Sequence, residues 1–423
     1  MRAALACGLL ALGASASAQV ETAGPQTVCT LEAHNHGAHP FPASGLFGLR
    51  QRRDACVPDR ADFVVTYVDF PAEAEVAFQA AVDAWSCQLD IAVPVRIEAT
   101  WETLGPGTLG SAGPRVIRNF DGAPSPDVWY PAALADQLAG RDLTPDVPDI
   151  EATFNRAFPA WNLDPEATEP ERFDLYTVVL HEIAHGLGFI GALRVEGGVG
   201  IVGENGSGPY AFDLQTQDGA GVSLLNSQVY PPGSARLADA LTRPVAFRGR
   251  TAEAAGLGPI PLYAPSVWLP GGSYSHLDEE AFPGGTPDGA LSPFISRGEA
   301  AGLPGPATCA VLADVGWTLE GTCAASVGRL GSPDARLEVV YRGPNPARSS
   351  TRIEVRSEVS RFVSAEVRDA RGRRVADLGT AALTQGRVFD IRVDVDELAS
   401  GVYFIVVRGG PSPQALPLTV VRG

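Results

Sequence analysis

The stretch Thr177-Val-Val-Leu-His181-Glu182-Ile-Ala-His185-Gly-Leu-Gly-Phe-Ile190 decides the fold. Residues four apart on a helix share a face, one turn apart. His181 and His185 at that spacing can grip one divalent cation, and Glu182 can reach a water on it, the HExxH zinc-hydrolase arrangement. The helix expectation stands without the motif. Asp174 suits an N-cap. Leu175, Val179, Leu180, Ile183 and Leu187 recur at helical spacing, and Gly186, Gly188 and Gly191 supply a stop. Apolar residues occur almost all round, so the helix should be buried, where two imidazoles and a carboxylate need partners. A metal ion is one such partner. The alternative is a pair of hydrogen-bonded core histidines with a salt-bridged glutamate. The chain has 6 His, so chance assembly of the motif is rare and the metal is favoured.

Zinc in a hydrolytic site takes three protein ligands and a water. In the metzincin pattern HExxHxxGxxH, Gly188 fits the glycine, but Gly191 stands where the third His belongs. The remaining His are His34, His36, His39 and His276. The first three form an N-terminal cluster in which no acid or Cys completes an obvious ligand set, so a solvated loop is expected there, with a second metal site as the alternative. His276 lies in Gly-Gly-Ser-Tyr-Ser-His-Leu-Asp278, where Asp278 could orient its ring. His276 is therefore the expected third ligand. Glu204, Asp278, Glu279 and Glu280 are the alternatives, and a loop histidine bonded to Asp278 is the structural one.

The chain has 423 residues, a formal charge of −17 and 32 basic residues, all Arg. That length suggests two or three domains. No basic block occurs, so nucleic acid is not an expected partner. Residues 1–18 read as a secretory signal: Arg2, the apolar run Ala3 to Leu12, and Ala16-Ser17-Ala18 before Gln19. That run is too short to span a membrane, and no later one is a candidate. An exported chain can keep disulfides. Cys309 with Cys323, and Cys29 with Cys56, are the pairs closest in sequence. The mature chain also holds Cys87, so one thiol is left over.

Residues 19–60 form a weakly patterned N-terminal segment, possible propeptide included. Ala61 to Asp69 alternates as F-V-V-T-Y-V and reads as a strand. Pro71 opens a helix with Glu73 and Glu75 in its first turn. Ile91 to Trp101 is a second strand. Leu109 to Phe120 is read as a turn and then the strand V-I-R-N-F, a candidate edge for a substrate strand. Pro126 to Ala139 suits a short strand and loop, and Asp149 to Phe154 a strand. Residues 192–270 read as a loop-rich insertion shaping a cleft, and Thr308 to Trp317 as a short apolar helix beneath the site. Residues 61–323 thus make one domain, 324–335 a linker, and 336–423 a β-sandwich of about seven short alternating strands.

T-V-V-L-H-E-I-A-H-G-L-G-F-I, S-Y-S-H-L-D, G-A-L-S-P-F-I-S and V-L-A-D-V-G-W, in that order, resemble a group of secreted bacterial metzincin-like zinc metallopeptidases. The resemblance covers about 62 to 323. It implies an α+β, zincin-like catalytic domain: a twisted mixed sheet with the HExxH helix below a cleft. Leu291 falls where the family has its Met-turn methionine. Arg53-Asp-Ala-Cys56-Val-Pro-Asp59 resembles the cysteine switch of matrixin propeptides, with a shifted arginine and no glycine; the other reading of Cys56 is a disulfide to Cys29. Y-R-G-P-N-P-A-R-S-S-T-R-I-E-V, D-A-R-G-R-R-V-A-D-L and L-A-S-G-V-Y-F-I-V-V resemble the type IX secretion C-terminal sorting domain. That implies export by the type IX machinery to the surface or exterior of a Gram-negative bacterium.

The expectation is a secreted, monomeric zinc endopeptidase acting on proteins or peptides. His181, His185 and His276 would hold one Zn2+, Glu182 would be the general base, and Tyr274 a candidate donor. Nothing in the pattern bears on calcium. The alternatives are a retired zincin acting in surface adhesion or binding, and a zinc amidase.

Overall fold

The computed structural model describes residues 20–24, 28–34, 62–203, 206–330, 337–357, 361–383, 388–396, 398–408 and 413–422. The expected signal segment, His36, His39, Cys56 and Glu204 lie outside them. The chain is mixed α+β, with an all-β C-terminal region.

The sheet that positions the site has six strands: β1 (Cys29–His34), β2 (Phe63–Val68), β3 (Val95–Glu102), β4 (Thr108–Pro114), β5 (Ile150–Asn155) and β6 (Phe294–Ser296). Their spatial order is β6-β1-β4-β5-β3-β2. β2, β3 and β5 run parallel, β4 is antiparallel to β5 and to β1, and β6 is parallel to β1. In β3, Val95, Ile97, Ala99 and Trp101 are buried and the residues between them face outward, the period-two pattern of a strand with one covered face.

Two helices cover that face. α1 (Ala72–Ser86) starts at Pro71, with Glu73 and Glu75 in its first turn. There the carboxylates meet the positive end of the helix dipole. α2 (Leu175–Leu187) is buried along its whole length. Its β-branched run Thr177-Val178-Val179 disfavours a helix by a few tenths of a kcal/mol per residue. Burying each large apolar side chain is worth about 1.5–3 kcal/mol, so packing decides. Asp174 caps the start, accepting from the Thr177 amide at 3.0 Å and the Thr177 hydroxyl at 2.6 Å. Gly188, at φ +119°, ends the helix in the left-handed region. Gly186 lies inside α2 rather than stopping it. A Cβ there would sit 2.6 Å from the Ile150 side chain, so helix and sheet approach through the missing side chain. Trp85 of α1 donates from Nε1 to the Leu180 carbonyl at 3.1 Å and locks the helices together.

The helix expected beneath the site is α3 (Pro306–Val315). Asp288 receives the Ala307 and Thr308 amides at its start. After its end, Trp317 Nε1 donates to the Leu187 carbonyl at 2.7 Å, fixing the C-terminal end of α2.

Several expectations are corrected. The strand here that joins the sheet is Thr108–Pro114, an interior strand between β1 and β5 and not an edge, whereas Val116–Arg118 pairs in a separate small sheet. Residues 126–139 contain a helix, Ala132–Ala139, closed by left-handed Gly140. The 192–270 region carries short elements, including a hairpin and a three-stranded sheet. The weakly patterned N-terminal segment supplies β1, between β4 and β6. A helix over Gly321–Leu330 occupies the first part of the expected linker.

The C-terminal strands β7 (Leu337–Tyr341), β8 (Ser350–Ser357), β9 (Arg361–Asp369), β10 (Arg374–Leu383), β11 (Val388–Asp394), β12 (Gly401–Arg408) and β13 (Gln414–Val420) form two antiparallel sheets, β7-β8-β11 and β10-β9-β12-β13. Their inward residues, among them Ile353, Val355, Val367, Ile405 and Leu418, make a core of their own. No described helix is long and apolar enough to cross a membrane.

Candidate metal centre

One turn of α2 brings His181 and His185 together, their Nε2 atoms 2.9 Å apart. The loop after Gly272 adds His276, whose Nε2 lies 3.1 Å from that of His181. All three imidazoles are fully buried. Each ring's other nitrogen faces a backbone carbonyl: His181 Nδ1 to Ala290 at 2.6 Å, His185 Nδ1 to Phe189 at 2.7 Å and His276 Nδ1 to Gly272 at 2.7 Å. A carbonyl only accepts, so each Nδ1 carries the proton and each Nε2 presents a lone pair. Burial favours this neutral form. It lowers the His181 pKa to about 4 and pushes His185 and His276 well below the ordinary imidazole value.

Three lone pairs aimed at one point repel each other unless a cation sits among them. The donor set, three imidazole nitrogens with fixed second hydrogen bonds, fits Zn2+. The groups able to share an ion also include Glu182 with His181 and His185. Glu182 is fully buried, and neither carboxylate oxygen has a hydrogen-bond partner. Burial pushes its pKa well up; the amides of Ala112 and Leu31 face it and oppose that shift without making a hydrogen bond. A buried carboxylate without a hydrogen-bond partner beside converging lone pairs is a set of groups that a divalent cation fits.

The orienting partner of His276 is the Gly272 carbonyl, correcting the expectation of Asp278. Asp278 instead accepts from the Ala281 amide at 3.0 Å, closing the next turn. Among the described residues, neither Asp278, Glu279 nor Glu280 joins a metal-capable group. Tyr274 is not aimed at the site either. It is buried with φ +76°, donates to Asp213 Oδ1 at 2.7 Å and meets the Thr216 hydroxyl at 2.8 Å.

Gly191 explains why the third imidazole comes from so far along the chain. A Cβ there would lie 2.2 Å from Tyr274 Cε1 and 2.5 Å from Asp213 Oδ1. Its bare backbone lets the Ser273–His276 loop close on the exit of α2, and its amide donates to Ser275 Oγ at 3.1 Å. The loop is tied to the turn below as well: the Leu277 amide donates to the carbonyl of buried Leu291 at 2.9 Å.

Sequence reasoning missed Cys29. Its thiol is 2% exposed and lies 3.4 Å from His276 Nε2, donating to the Gly271 carbonyl at 3.1 Å. Burial, then the Glu182 carboxylate, push its pKa well up. It is the free cysteine among the described residues, so the expected Cys29–Cys56 pairing does not form. The Cys309–Cys323 disulfide does form, and Cys87 is also disulfide-bonded. The odd thiol in the count was the available signal. Beside Cys29 opens a cleft of about 450 Å³, lined in part by Leu193, Arg194, Glu196, Trp268 and Ser275.

The profile of the secretion system C-terminal sorting domain matches residues 340–415. No curated protein matches the chain. The sorting domain places the protein on the surface or outside of a Bacteroidetes-type bacterium and makes it cargo of the type IX secretion machinery.

Proposed function

We propose that the chain is a secreted zinc-dependent endopeptidase with a zincin-like catalytic domain over residues 61–323. One observation carries the reading: three imidazole lone pairs converge beside a buried carboxylate that has no partner. His181, His185 and His276 would hold the ion. Bound zinc supplies Lewis acidity toward a scissile carbonyl and acidifies a water. Glu182 accepts the proton from the attacking water and delivers it to the leaving amine. Its full burial without a hydrogen-bond partner leaves both carboxylate oxygens free to take and pass a proton. The fixed Nδ1–H donors keep the three rings from rotating. Leu291 supports the zincin reading as the apolar floor where the family has a methionine.

The test is cleavage of casein and of unstructured peptides by the zinc-loaded full chain, alongside Glu182→Ala. The expected result is loss of about 10²–10⁴ in rate with zinc retained. Hydrolysis that survives the substitution refutes the role of Glu182. A second reading, a non-catalytic metal-binding module, is favoured by the buried Cys29 thiol, which could share an ion with His185 and His276, since closed four-ligand sites are structural. Zinc binding without hydrolysis of any peptide by wild type or Cys29→Ala would support it.

A further inference from the structure

Two segments deliver the three imidazoles, α2 with its exit and the loop before His276, and both are fastened to Phe212-Asp213. On the α2 side, Phe189 supplies the carbonyl that holds His185 Nδ1 at 2.7 Å, and its ring packs on Phe212 with centroids 5.5 Å apart. The Ala192 amide then donates to Asp213 Oδ2 at 3.0 Å. On the loop side, the Tyr274 ring packs edge-on against Phe212 at 5.8 Å and its hydroxyl donates to Asp213 Oδ1 at 2.7 Å. The Tyr210 amide, 2.7 Å from Oδ2, anchors the carboxylate independently of both segments. Phe212, Asp213 and Tyr274 are each no more than 1% exposed, so these bonds form in a low-dielectric interior.

Tyr274 needs that hold. Its φ of +76° lies in the left-handed region, which a bulky aromatic residue adopts only where its surroundings force it. The same turn clasps Tyr263: the Tyr274 amide donates to the Tyr263 carbonyl at 2.7 Å, and the Tyr263 amide to the His276 carbonyl at 2.9 Å. Relaxing Tyr274 toward an ordinary φ would swing the backbone that carries the third imidazole.

We propose that Asp213 and Tyr274 are positioning residues of the metal centre: one buried carboxylate holds the His276 loop against the exit of α2 and thereby sets the spacing of the third ring from the other two. The inference rests on the metal-site part of the reading above and goes beyond it, since it assigns part of the metal affinity to a bond formed outside the ligand set. An apolar pair could fill the same volume. A hydroxyl-to-carboxylate bond is directional as well, which suits a loop that must hold one nitrogen in place against two others. Anchor and loop are separable. Without the Tyr274 hydroxyl, Asp213 keeps its amide donors, and only the loop is let go.

The experiment measures the zinc affinity of the full chain by competition with a chromophoric chelator, in wild type, Tyr274→Phe, His276→Ala and the double variant. Tyr274→Phe should raise the zinc Kd by about 10–100-fold, the loss typical of a group that orients a ligand. In the His276→Ala background the same change should move Kd by less than about twofold, because the hydroxyl acts through that imidazole alone. Thr216→Val removes the hydroxyl 2.8 Å from that of Tyr274. It should shift Kd in the same direction and by less, and it carries the test if Tyr274→Phe does not fold. A Kd unchanged in the folded variant, with only the thermal stability of the zinc-free chain lowered, overturns the proposal, and so does an equal loss with and without His276. The function reading fails separately: peptide cleavage indifferent to Glu182→Ala refutes it, with the zinc affinity still dependent on Tyr274.

Discussion

Gly191→Ala is the change that most sharply probes how the third imidazole reaches the helix. The added methyl would lie 2.2 Å from Tyr274 Cε1 and 2.5 Å from Asp213 Oδ1, both fully buried. Neither neighbour has room to retreat. Tyr274 is held between Asp213 and Thr216, and Asp213 also accepts from the Ala192 amide at 3.0 Å and the Tyr210 amide at 2.7 Å. Overpacking a filled core costs about 1–3 kcal/mol. Breaking the buried Tyr274–Asp213 bond adds about 1.5–3 kcal/mol. The lower chain entropy of alanine in the unfolded state returns about 0.4–1 kcal/mol. The expected net loss is about 2–5 kcal/mol, a fall in Tm of roughly 5–15 °C for a domain of this size. Because Tyr274 precedes His276 by two residues, the displacement should also weaken metal retention. The assay is thermal unfolding followed by circular dichroism, with zinc content measured on the same samples. A variant within about 0.5 kcal/mol of wild type that keeps its zinc would refute the close approach of loop and helix.

Glu299 gives a pH prediction away from the metal. Burial raises its pKa from 4.5 to about 7. The folded chain therefore holds a proton that the unfolded chain has released, so stability is fullest below pH 4.5 and falls as pH rises through about 7. Glu299→Gln should remove that fall, and its stability relative to wild type should rise by on the order of 3 kcal/mol between pH 4.5 and 8, read from urea unfolding. An advantage that does not change with pH would count against the burial argument. The Cys309–Cys323 disulfide closes a loop of 14 residues. Replacing both cysteines by serine should lower stability by about 3 kcal/mol in the same assay; a change below about 1 kcal/mol would show that the helices on either side hold without it.

Local rules carried much of the chain. The cap at Asp174, the stop at Gly188 and the buried run between them are short-range features, and the structure has them where the pattern put them. The seven alternating C-terminal strands were legible for the same reason, since each shows its period within a few residues. His276 was found by scarcity, as a histidine in a turn with few competitors. What failed was non-local. β1 has no strong period, and its partners lie some 80 residues away in β4 and far beyond in β6, so only the assembled sheet defines it. The placing of Cys29 beside His276 was invisible for the same reason. The orienting group of His276 is a backbone carbonyl, which every residue carries, so no side-chain pattern points to it. Two- and three-residue strands in 192–270 are likewise below any periodic signal.

Metal analysis of the purified full chain tests the central claim most directly, with wild type and His276→Ala compared after dialysis against a weak chelator. The account predicts about one zinc ion per wild-type chain and a large loss from the variant, because His181 and His185 alone leave the site short of a ligand. Wild type that holds no zinc, or a His276→Ala protein that retains it in full, would contradict it.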